Sequence, residues 1–146
     1  MERTFILIKP EGIKRRLVGE IISRFEKKGL YIADCKLVQA DKTLLEEHYG
    51  ELKAKPFFNS LVSHMSSGAV LAMVLEGENV VSVARKLIGA TNPAESEVGT
   101  IRADLASSID KNVVHGSDSK ENAEKEIKLW FKTALKGEQF ENAYLY

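Results

Sequence analysis

Asn112-Val113-Val114-His115-Gly116-Ser117-Asp118-Ser119 joins a short apolar run to a strongly helical segment, and the rest of the fold can be worked out from it. Val113-Val114 predicts a strand. The last two residues of the stretch can cap the helix that follows, because their side chains accept hydrogen bonds from the free N–H groups of its first turn. His115 is therefore expected at a strand-to-helix turn. Gly116 beside it allows another backbone or a ligand to approach closely.

The helix after this turn is predicted to have one apolar side, with a carboxylate, Glu126, at its edge. Glu126 has no lysine four residues further on, whereas its neighbours Glu121 and Glu124 each have one. A carboxylate in that position needs a partner from outside its own helix, and His115 is the natural candidate. The apolar residues recur at helical spacing: Ala123, Ile127, Trp130, Phe131 and Ala134.

A bond between His115 and Glu126 would fix the imidazole tautomer and leave the other ring nitrogen free to attack. The alternative, from the residues alone, is a half-exposed glutamate and a histidine packed in the core. Ser117 is expected to cap or to hydrogen-bond rather than to act as a nucleophile, because no nucleophile-elbow pattern surrounds it.

Length and composition indicate a single domain over residues 1–146. The 21 basic residues balance 21 acidic ones, which argues against a nucleic-acid or membrane surface. The longest apolar run, residues 69–75, is too short to cross a bilayer. A single cysteine, Cys35, is expected to be buried in a strand and fits a reducing compartment. Without a signal-like apolar segment at the start, we expect a cytoplasmic protein.

The remaining elements alternate short strands with amphipathic helices. Asp41 and Asn79 are expected to cap two of the helices, and the aromatic tail at 140–146 is expected to pack on the domain or on a neighbouring subunit. The predicted strands are 4–8, 31–37, 69–75 and 113–114, and the predicted helices cover 18–25, 44–52, 57–65, 80–88 and 123–134.

Residues 89–111 break this alternation and are expected to form an ordered, functional loop, since a loop of that length in a compact domain is usually functional or disordered. The order of elements predicts an α+β fold, a ferredoxin-like βαββαβ sandwich. Its four-stranded antiparallel sheet would carry added helices and the long loop. Many functions share such a fold, so the fold alone does not decide the activity.

Separate basic and polar side chains, rather than a glycine-rich loop, are the candidates for binding phosphate. Neither a Walker pattern nor Gly-x-Gly-x-x-Gly occurs. Lys9 follows the first strand, Arg85 flanks a helix, and Thr91 and Arg102 lie in the long loop. Arginine suits phosphate because its donors form a planar fork, although each could equally be a surface residue. The histidines show no ligand spacing with the cysteine, so no protein-held metal is expected.

Several separated blocks, in the same order, resemble the nucleoside diphosphate kinase family. They cover nearly the whole chain, which makes the resemblance far more specific than one short pattern. The blocks are Thr-Phe-Ile-Leu-Ile-Lys-Pro-Glu-Gly at 4–12, Thr-Asn-Pro-Ala at 91–94, Gly-Thr-Ile-Arg at 99–102, the stretch at 112–119, and Ala-Glu-Lys-Glu-Ile at 123–127.

The resemblance implies ping-pong transfer of the terminal phosphoryl group from a nucleoside triphosphate to a nucleoside diphosphate, with Mg²⁺ bridging the phosphates. His115 matches the phosphorylated residue, Glu126 the carboxylate that orients its ring, and Lys9 a further catalytic position. Phe57 matches the aromatic on which the base stacks, a contact that tolerates any base. The matching phosphate and sugar contacts are Lys9, Tyr49, Arg85, Thr91, Arg102 and Asn112.

The family is usually a hexamer and sometimes a tetramer, so the resemblance also implies a homo-oligomer. The alternative from another class is a non-catalytic nucleotide- or RNA-binding module on the same kind of sandwich. Against RNA binding, no predicted strand carries the paired aromatics on which such modules stack bases. Sequence-specific nucleic-acid binding is therefore not expected.

Overall fold

A four-stranded antiparallel sheet forms the centre of the computed structural model, which describes residues 1–131. The strands are β1 (Glu2–Ile8), β2 (Tyr31–Val38), β3 (Val70–Gly77) and β4 (Val114–Gly116), in the order β2-β3-β1-β4. The helices are α1 (Pro10–Lys14), α2 (Val18–Lys27), α3 (Lys42–His48), α4 (Phe58–Met65), α5 (Val80–Ile88), α6 (Ile101–Leu105) and α7 (Lys120–Trp130). The predicted α+β ferredoxin-like sandwich is confirmed.

β1 lies inside the sheet and is buried on both faces, which explains its unbroken apolar sequence. Successive side chains of a strand point to opposite faces, so Phe5 and Leu7 pack with α3, α4 and α7, whereas Ile6 and Ile8 pack with α2 and α5. All four residues are fully buried. Two apolar layers therefore hold the central strand, and Lys9 is placed where that strand leaves the sheet.

β2 departs from the predicted alternation because it contains a bulge. The register with β3 shifts between Ile32 and Asp34, so Ala33 is an extra residue and the later side chains exchange faces. Cys35 is exposed and Leu37 is 63% exposed, on an edge strand. The prediction that Cys35 is buried was wrong for this reason.

β4 begins one residue later than predicted. Val113 has a left-handed backbone with a φ of 77°, so it precedes the strand. His115 consequently lies in the middle of β4, where it pairs with Leu7 of β1, and not in the turn that follows. An antiparallel pairing three residues long thus fixes the backbone of His115 against the buried part of β1.

Two of the predicted helix caps are confirmed and one is not. The Asp41 side chain accepts a hydrogen bond from Leu44 N, and that of Ser119 accepts one from Asn122 N. Asn79 occupies the cap position of α5, but its φ is 50° and its side chain makes no capping bond. Glu2 takes over this role from β1, because its carboxylate accepts from Val81 N at 2.8 Å.

Residues 89–111 are ordered, as predicted, and contain a short 3₁₀ helix at Pro93–Glu95 as well as α6. Arg24 of α2 bonds Asp104 at 2.8 Å, which holds α6 to the body of the domain. Ala134 and the tail at 140–146 lie outside the described residues. Across residues 1–131, no helix is both long enough and apolar enough to span a membrane.

Candidate functional site

A cleft of about 660 Å³ opens where β1 and β4 end, between α3, α7 and the segment 89–112. Its volume lies in the range of pockets that hold small molecules. The cleft brings together eight of the nine residues predicted for the site, which come from distant parts of the chain: Lys9, Tyr49, Arg85, Thr91, Arg102, Asn112, His115 and Glu126.

His115 and Glu126 meet inside this cleft. Nε2 of His115 and Oε1 of Glu126 are 2.8 Å apart, and Ser117 Oγ donates to the same carboxylate oxygen at 2.8 Å. Burial alone would raise the pKa of Glu126, but the bond from His115, the nearby histidines and Ser117 outweigh it, so the pKa lies below its usual value. Glu126 is therefore ionised at neutral pH. The predicted outside partner of Glu126 is confirmed, as is the hydrogen-bonding role of Ser117.

This contact selects one tautomer of His115. An ionised carboxylate can only accept hydrogen bonds, so Nε2 must carry the proton that it shares with Glu126. Nδ1 then has a free lone pair. The His115 side chain is 25% exposed, and its residue lines the cleft. In the neutral ring, Nδ1 is therefore the nitrogen that can act as a nucleophile toward a small electrophile in the cleft.

His48 is a site residue that the sequence did not reveal. It lines the cleft at the end of α3, and its ring centroid lies 5.1 Å from that of His115. Trp130 donates its indole N–H to His48 Nδ1 at 3.0 Å, so Nε2 of His48 carries the proton. Burial, together with the neighbouring His115, lowers the pKa of His48 to about 4. His48 is thus a neutral ring of fixed tautomer beside the candidate nucleophile.

The atoms of His48, His115 and Glu126 that could bind a metal lie within 4.8 Å of one another. Nδ1 of His48 is taken by Trp130, and Nε2 of His115 is taken by Glu126. A metal at Nδ1 of His48 or at Nε2 of His115 would have to break these bonds. The three residues are better described as a hydrogen-bonded network, and a set with two nitrogen donors does not suit Mg²⁺, which prefers oxygen.

Lys9, Asn112 and Thr91 form a second hydrogen-bonded group in the cleft. Lys9 Nζ donates to Asn112 Oδ1 at 2.6 Å, and Asn112 Nδ2 donates to the carbonyl of Thr91 at 3.2 Å. Burial and the nearby charge of Arg102 lower the pKa of Lys9 to about 8. Such a lysine gains a strongly stabilising partner when an anion enters the cleft.

Arg102 is a buried guanidinium whose hydrogen-bonding capacity is incompletely used. Its Nη2 donates to the carbonyl of Val114 at 2.7 Å, while its buried Nε has no partner. Burial and repulsion from Arg85 lower the pKa of Arg102 to about 10. Tyr49 is also buried, which raises the pKa of its hydroxyl. Lys9, Arg85 and Arg102 line one cleft together with acidic residues such as Asp118, and the combined positive charge of the three cations suits a multiply charged anion.

Phe57 is the predicted site residue that the structure does not bring to the cleft wall. It precedes α4, is 50% exposed, and does not line the cleft. Its position leaves an aromatic face accessible to solvent. Periodicity could not separate an accessible aromatic from a buried one, because Phe58 beside it is buried in the core.

The comparisons with known proteins identify the family of this chain. Residues 2–135 match the family model described as Nucleoside diphosphate kinase. The chain belongs to the nucleoside diphosphate kinase family. Curated members of the family include Nucleoside diphosphate kinase 1 of Glycine max, which is 61% identical over 130 residues, covering 89% of this chain and 87% of the relative. Nucleoside diphosphate kinase B of Flaveria bidentis is 61% identical over 131 residues, covering 90% and 88%.

A solved structure supports the same assignment. The crystal structure of the nucleoside diphosphate kinase from Encephalitozoon cuniculi superimposes with a TM-score of 0.93 at 54% sequence identity, covering 100% of both chains. A nucleoside diphosphate kinase needs a cleft that admits one nucleotide at a time and a group that can hold phosphate between two half-reactions. The described cleft contains basic side chains and an imidazole whose tautomer is fixed by Glu126.

Proposed function

We propose that His115 carries the phosphoryl group in the reaction of this family, the ping-pong transfer of a terminal phosphoryl group from a nucleoside triphosphate to a nucleoside diphosphate. The observation that carries the proposal is the bond between His115 Nε2 and ionised Glu126, which puts the lone pair of the neutral ring on Nδ1, in a cleft that Lys9, Arg85 and Arg102 also line. A covalent intermediate lets the donor and acceptor nucleotides use the same site in turn.

In the first half-reaction the Nδ1 lone pair attacks the γ-phosphorus. A nitrogen–phosphorus bond forms, the bond from that phosphorus to the β–γ bridging oxygen breaks, and the nucleoside diphosphate leaves with the electron pair. The ring becomes positively charged, and Glu126 stabilises that charge through its 2.8 Å contact. A second nucleoside diphosphate then reverses these steps, so protons and electrons balance over the cycle.

The cationic residues of the cleft are the proposed phosphate ligands. Phosphoryl transfer requires mainly that the reacting groups be positioned and that positive charge surround the equatorial oxygens. Lys9, Arg85 and Arg102 would supply that charge, and the unpartnered Nε of buried Arg102 supports this role. The proposed polar contacts to phosphate and sugar are Tyr49, Thr91 and Asn112.

Phe57 is the proposed stacking residue for the base, and its half-exposed ring supports this role. Stacking is indifferent to base identity because every base has a π face, so we expect broad nucleotide tolerance. In this proposal, the base of a nucleotide whose phosphates reach Arg102 stacks on Phe57.

Mg²⁺ is the proposed cofactor, bound to the phosphates of the nucleotide. The histidine-rich cluster of the cleft suits it poorly, whereas Mg²⁺ commonly binds through substrate phosphates and keeps several waters. Bound in this way, it would neutralise part of the phosphate charge. The protein would then contribute the side chains that position the Mg²⁺-nucleotide, and no dedicated protein ligand is proposed.

The proposed assembly is a cytoplasmic homo-oligomer, with a hexamer favoured over a tetramer, of a domain spanning residues 1–146. Family membership is the support for self-association, and large apolar side chains are available to be buried between subunits: Leu37 is 63%, Val98 97% and Ile109 53% exposed. Multi-angle light scattering of the purified chain measures the mass directly, and a monomer at micromolar concentration would contradict the assembly.

The test of the chemistry is incubation with radiolabelled ATP and no acceptor. We expect one phosphate per chain that is labile in acid and stable in base, as a nitrogen-linked phosphate is, and its complete transfer to added GDP. His115→Asn keeps the size and polarity near Nδ1 but removes the nucleophile, so labelling and turnover should both disappear. If this variant still transferred phosphate at a near wild-type rate, or if the label were stable in acid, His115 would not be the carrier.

The rival proposal is a binding module that holds nucleotides without transferring phosphate. The same experiment distinguishes the two, because a module of that kind would bind ATP in equilibrium dialysis yet stay unlabelled. A module that only binds nucleotides does not require the hydrogen bond between His115 Nε2 and Glu126, which puts the lone pair of the neutral ring on Nδ1. It is therefore the less favoured function.

A further inference from the structure

A strained residue separates two parts of the proposed catalytic site. Val113 is a fully buried β-branched residue with a φ of 77°, a conformation that such side chains rarely adopt. Asn112, which binds Lys9, comes just before it, and β4, which carries His115, comes just after. The left-handed turn at Val113 therefore sets how Asn112 and His115 stand relative to each other.

Both hydrogen-bonding groups of Val113 are held by the segment that follows β1. Its carbonyl accepts from Lys9 N at 2.8 Å, and its N–H donates to Glu11 Oε2 at 3.1 Å. Gly12 completes this contact, since a Cβ there would come within 3.2 Å of Val113 Cγ1 and 3.3 Å of Val113 O. The side chain of Glu11 is thus the acceptor that holds an otherwise buried N–H in the strained turn.

Glu11 is itself held by a residue of α4. Its second oxygen, Oε1, lies 2.8 Å from Nε2 of His64, and its side chain is 9% exposed. His64 belongs to the last turn of α4, the helix that Phe57 precedes. One carboxylate therefore connects α4 to the backbone of Val113, and both of its oxygens are used.

We propose that Glu11, anchored by His64, is a positioning residue for phosphoryl transfer: it fixes the left-handed peptide of Val113 and thereby sets Lys9 and Asn112 relative to His115. This inference rests on the proposed role of His115. Glu11 does not line the cleft, so it is expected to act through Val113 rather than by touching the nucleotide. The carboxylate also favours the charged form of Lys9, which supports the same arrangement.

Two pairs of variants test the proposal, with Glu46→Gln, an exposed carboxylate of α3, as the control. Glu11→Ala removes the acceptor of the Val113 N–H, whereas Glu11→Gln keeps an oxygen that can accept it. His64→Phe removes the donor to Glu11, whereas His64→Gln offers a side-chain N–H in a similar position. The measured quantities are the rate of phosphorylation at saturating ATP, the Michaelis constant, the melting temperature, and hydrogen exchange of the Val113 amide.

We expect Glu11→Ala to slow phosphorylation roughly tenfold or more, since small misplacements of reacting groups are costly. Its Michaelis constant should change less, and the Val113 amide should exchange faster. Glu11→Gln should restore most of the rate. His64→Phe should show a smaller loss that His64→Gln restores. If Glu11→Ala fails to fold, the His64 pair carries the test alone.

The proposal is overturned if Glu11→Ala and His64→Phe phosphorylate at the rate of the control. It is also overturned if the Gln variants lose as much rate as their partners, or if rate falls only in proportion to melting temperature. Hydrogen exchange of the Val113 amide does not depend on phosphorylation, so it can also be measured in the His115→Asn background. If His115 is not the phosphate carrier, the exchange still shows whether Glu11 holds the Val113 peptide. The two failures are therefore distinguishable.

Discussion

Replacing Glu126 by glutamine isolates the charge behind the proposed nucleophile. The amide oxygen can still accept from His115 Nε2 and from Ser117 Oγ, both now 2.8 Å from the carboxylate, so the tautomer and packing are kept. What disappears is the negative charge that stabilises the ring as it becomes cationic. The change should therefore slow phosphorylation while leaving nucleotide affinity nearly unchanged.

The size of the effect follows from how the bond strengthens as the ring becomes charged. The bond to the neutral ring is present before the reaction and in the transition state, so its loss does not by itself change the barrier. Only the attraction that grows between the carboxylate and the developing imidazolium counts. That attraction is roughly 1–3 kcal/mol for a partly buried pair, which corresponds to roughly 5- to 150-fold in rate. Glu126→Ala should lose more, because Nε2 and Ser117 both lose their acceptor.

Rapid-quench measurement of the phosphorylated protein, at several ATP concentrations, separates rate from affinity. Glu124→Gln on the exposed side of the same helix is the matched control and should behave as wild type. A wild-type phosphorylation rate in Glu126→Gln would refute the role assigned to the charge. Loss of ATP binding together with a lower melting temperature would instead identify Glu126 as a structural residue.

Three further measurements test other parts of the site. Phe57→Ala should raise the Michaelis constant for all nucleotides by a similar factor, since base stacking contributes roughly 1–3 kcal/mol; an unchanged constant would contradict stacking. Because the pKa of Lys9 is lowered to about 8, kcat/KM in the free enzyme should fall as pH rises through that value, and a profile flat to alkaline pH would exclude Lys9. The folded-state pKa of His48 is about 4, below the 6.5 of an unfolded chain, so only the unfolded state gains a proton between these values. The free energy of unfolding of the protein should then fall by roughly 2–3 kcal/mol as the pH drops from 6.5 to 4. His48→Asn should remove this dependence in denaturant titrations.

The parts of the fold that the sequence predicted are those set by local patterns. The continuous apolar run of β1 identified a strand buried on both faces, and the helical spacing before Trp130 identified α7. Ser119 and Asp41 were recognisable as caps because their bonds reach only three residues along the chain. The unpartnered Glu126 pointed correctly to a contact with His115, since an isolated carboxylate on an apolar edge requires one.

The features that the sequence did not reveal depend on contacts between distant segments. The bulge at Ala33 arises from pairing with β3, and it reversed the expected burial of Cys35. Glu2, from another strand, took the capping role expected of Asn79. His48 is a site residue only because α3 packs beside α7, which brings it to Trp130, and no spacing along the chain indicates this. The predicted set of phosphate contacts came from family resemblance, because periodicity along the chain carries no information about them.

Trp130 is the single tryptophan of the sequence, and its indole N–H ends on the ring that faces His115. A negatively charged group arriving on His115 alters the electric field at that indole through one intervening imidazole. Emission excited beyond tyrosine absorption therefore comes from one chromophore, 3.0 Å from His48 Nδ1. Each half-reaction should be visible in a stopped-flow fluorimeter with natural nucleotides and without any dye.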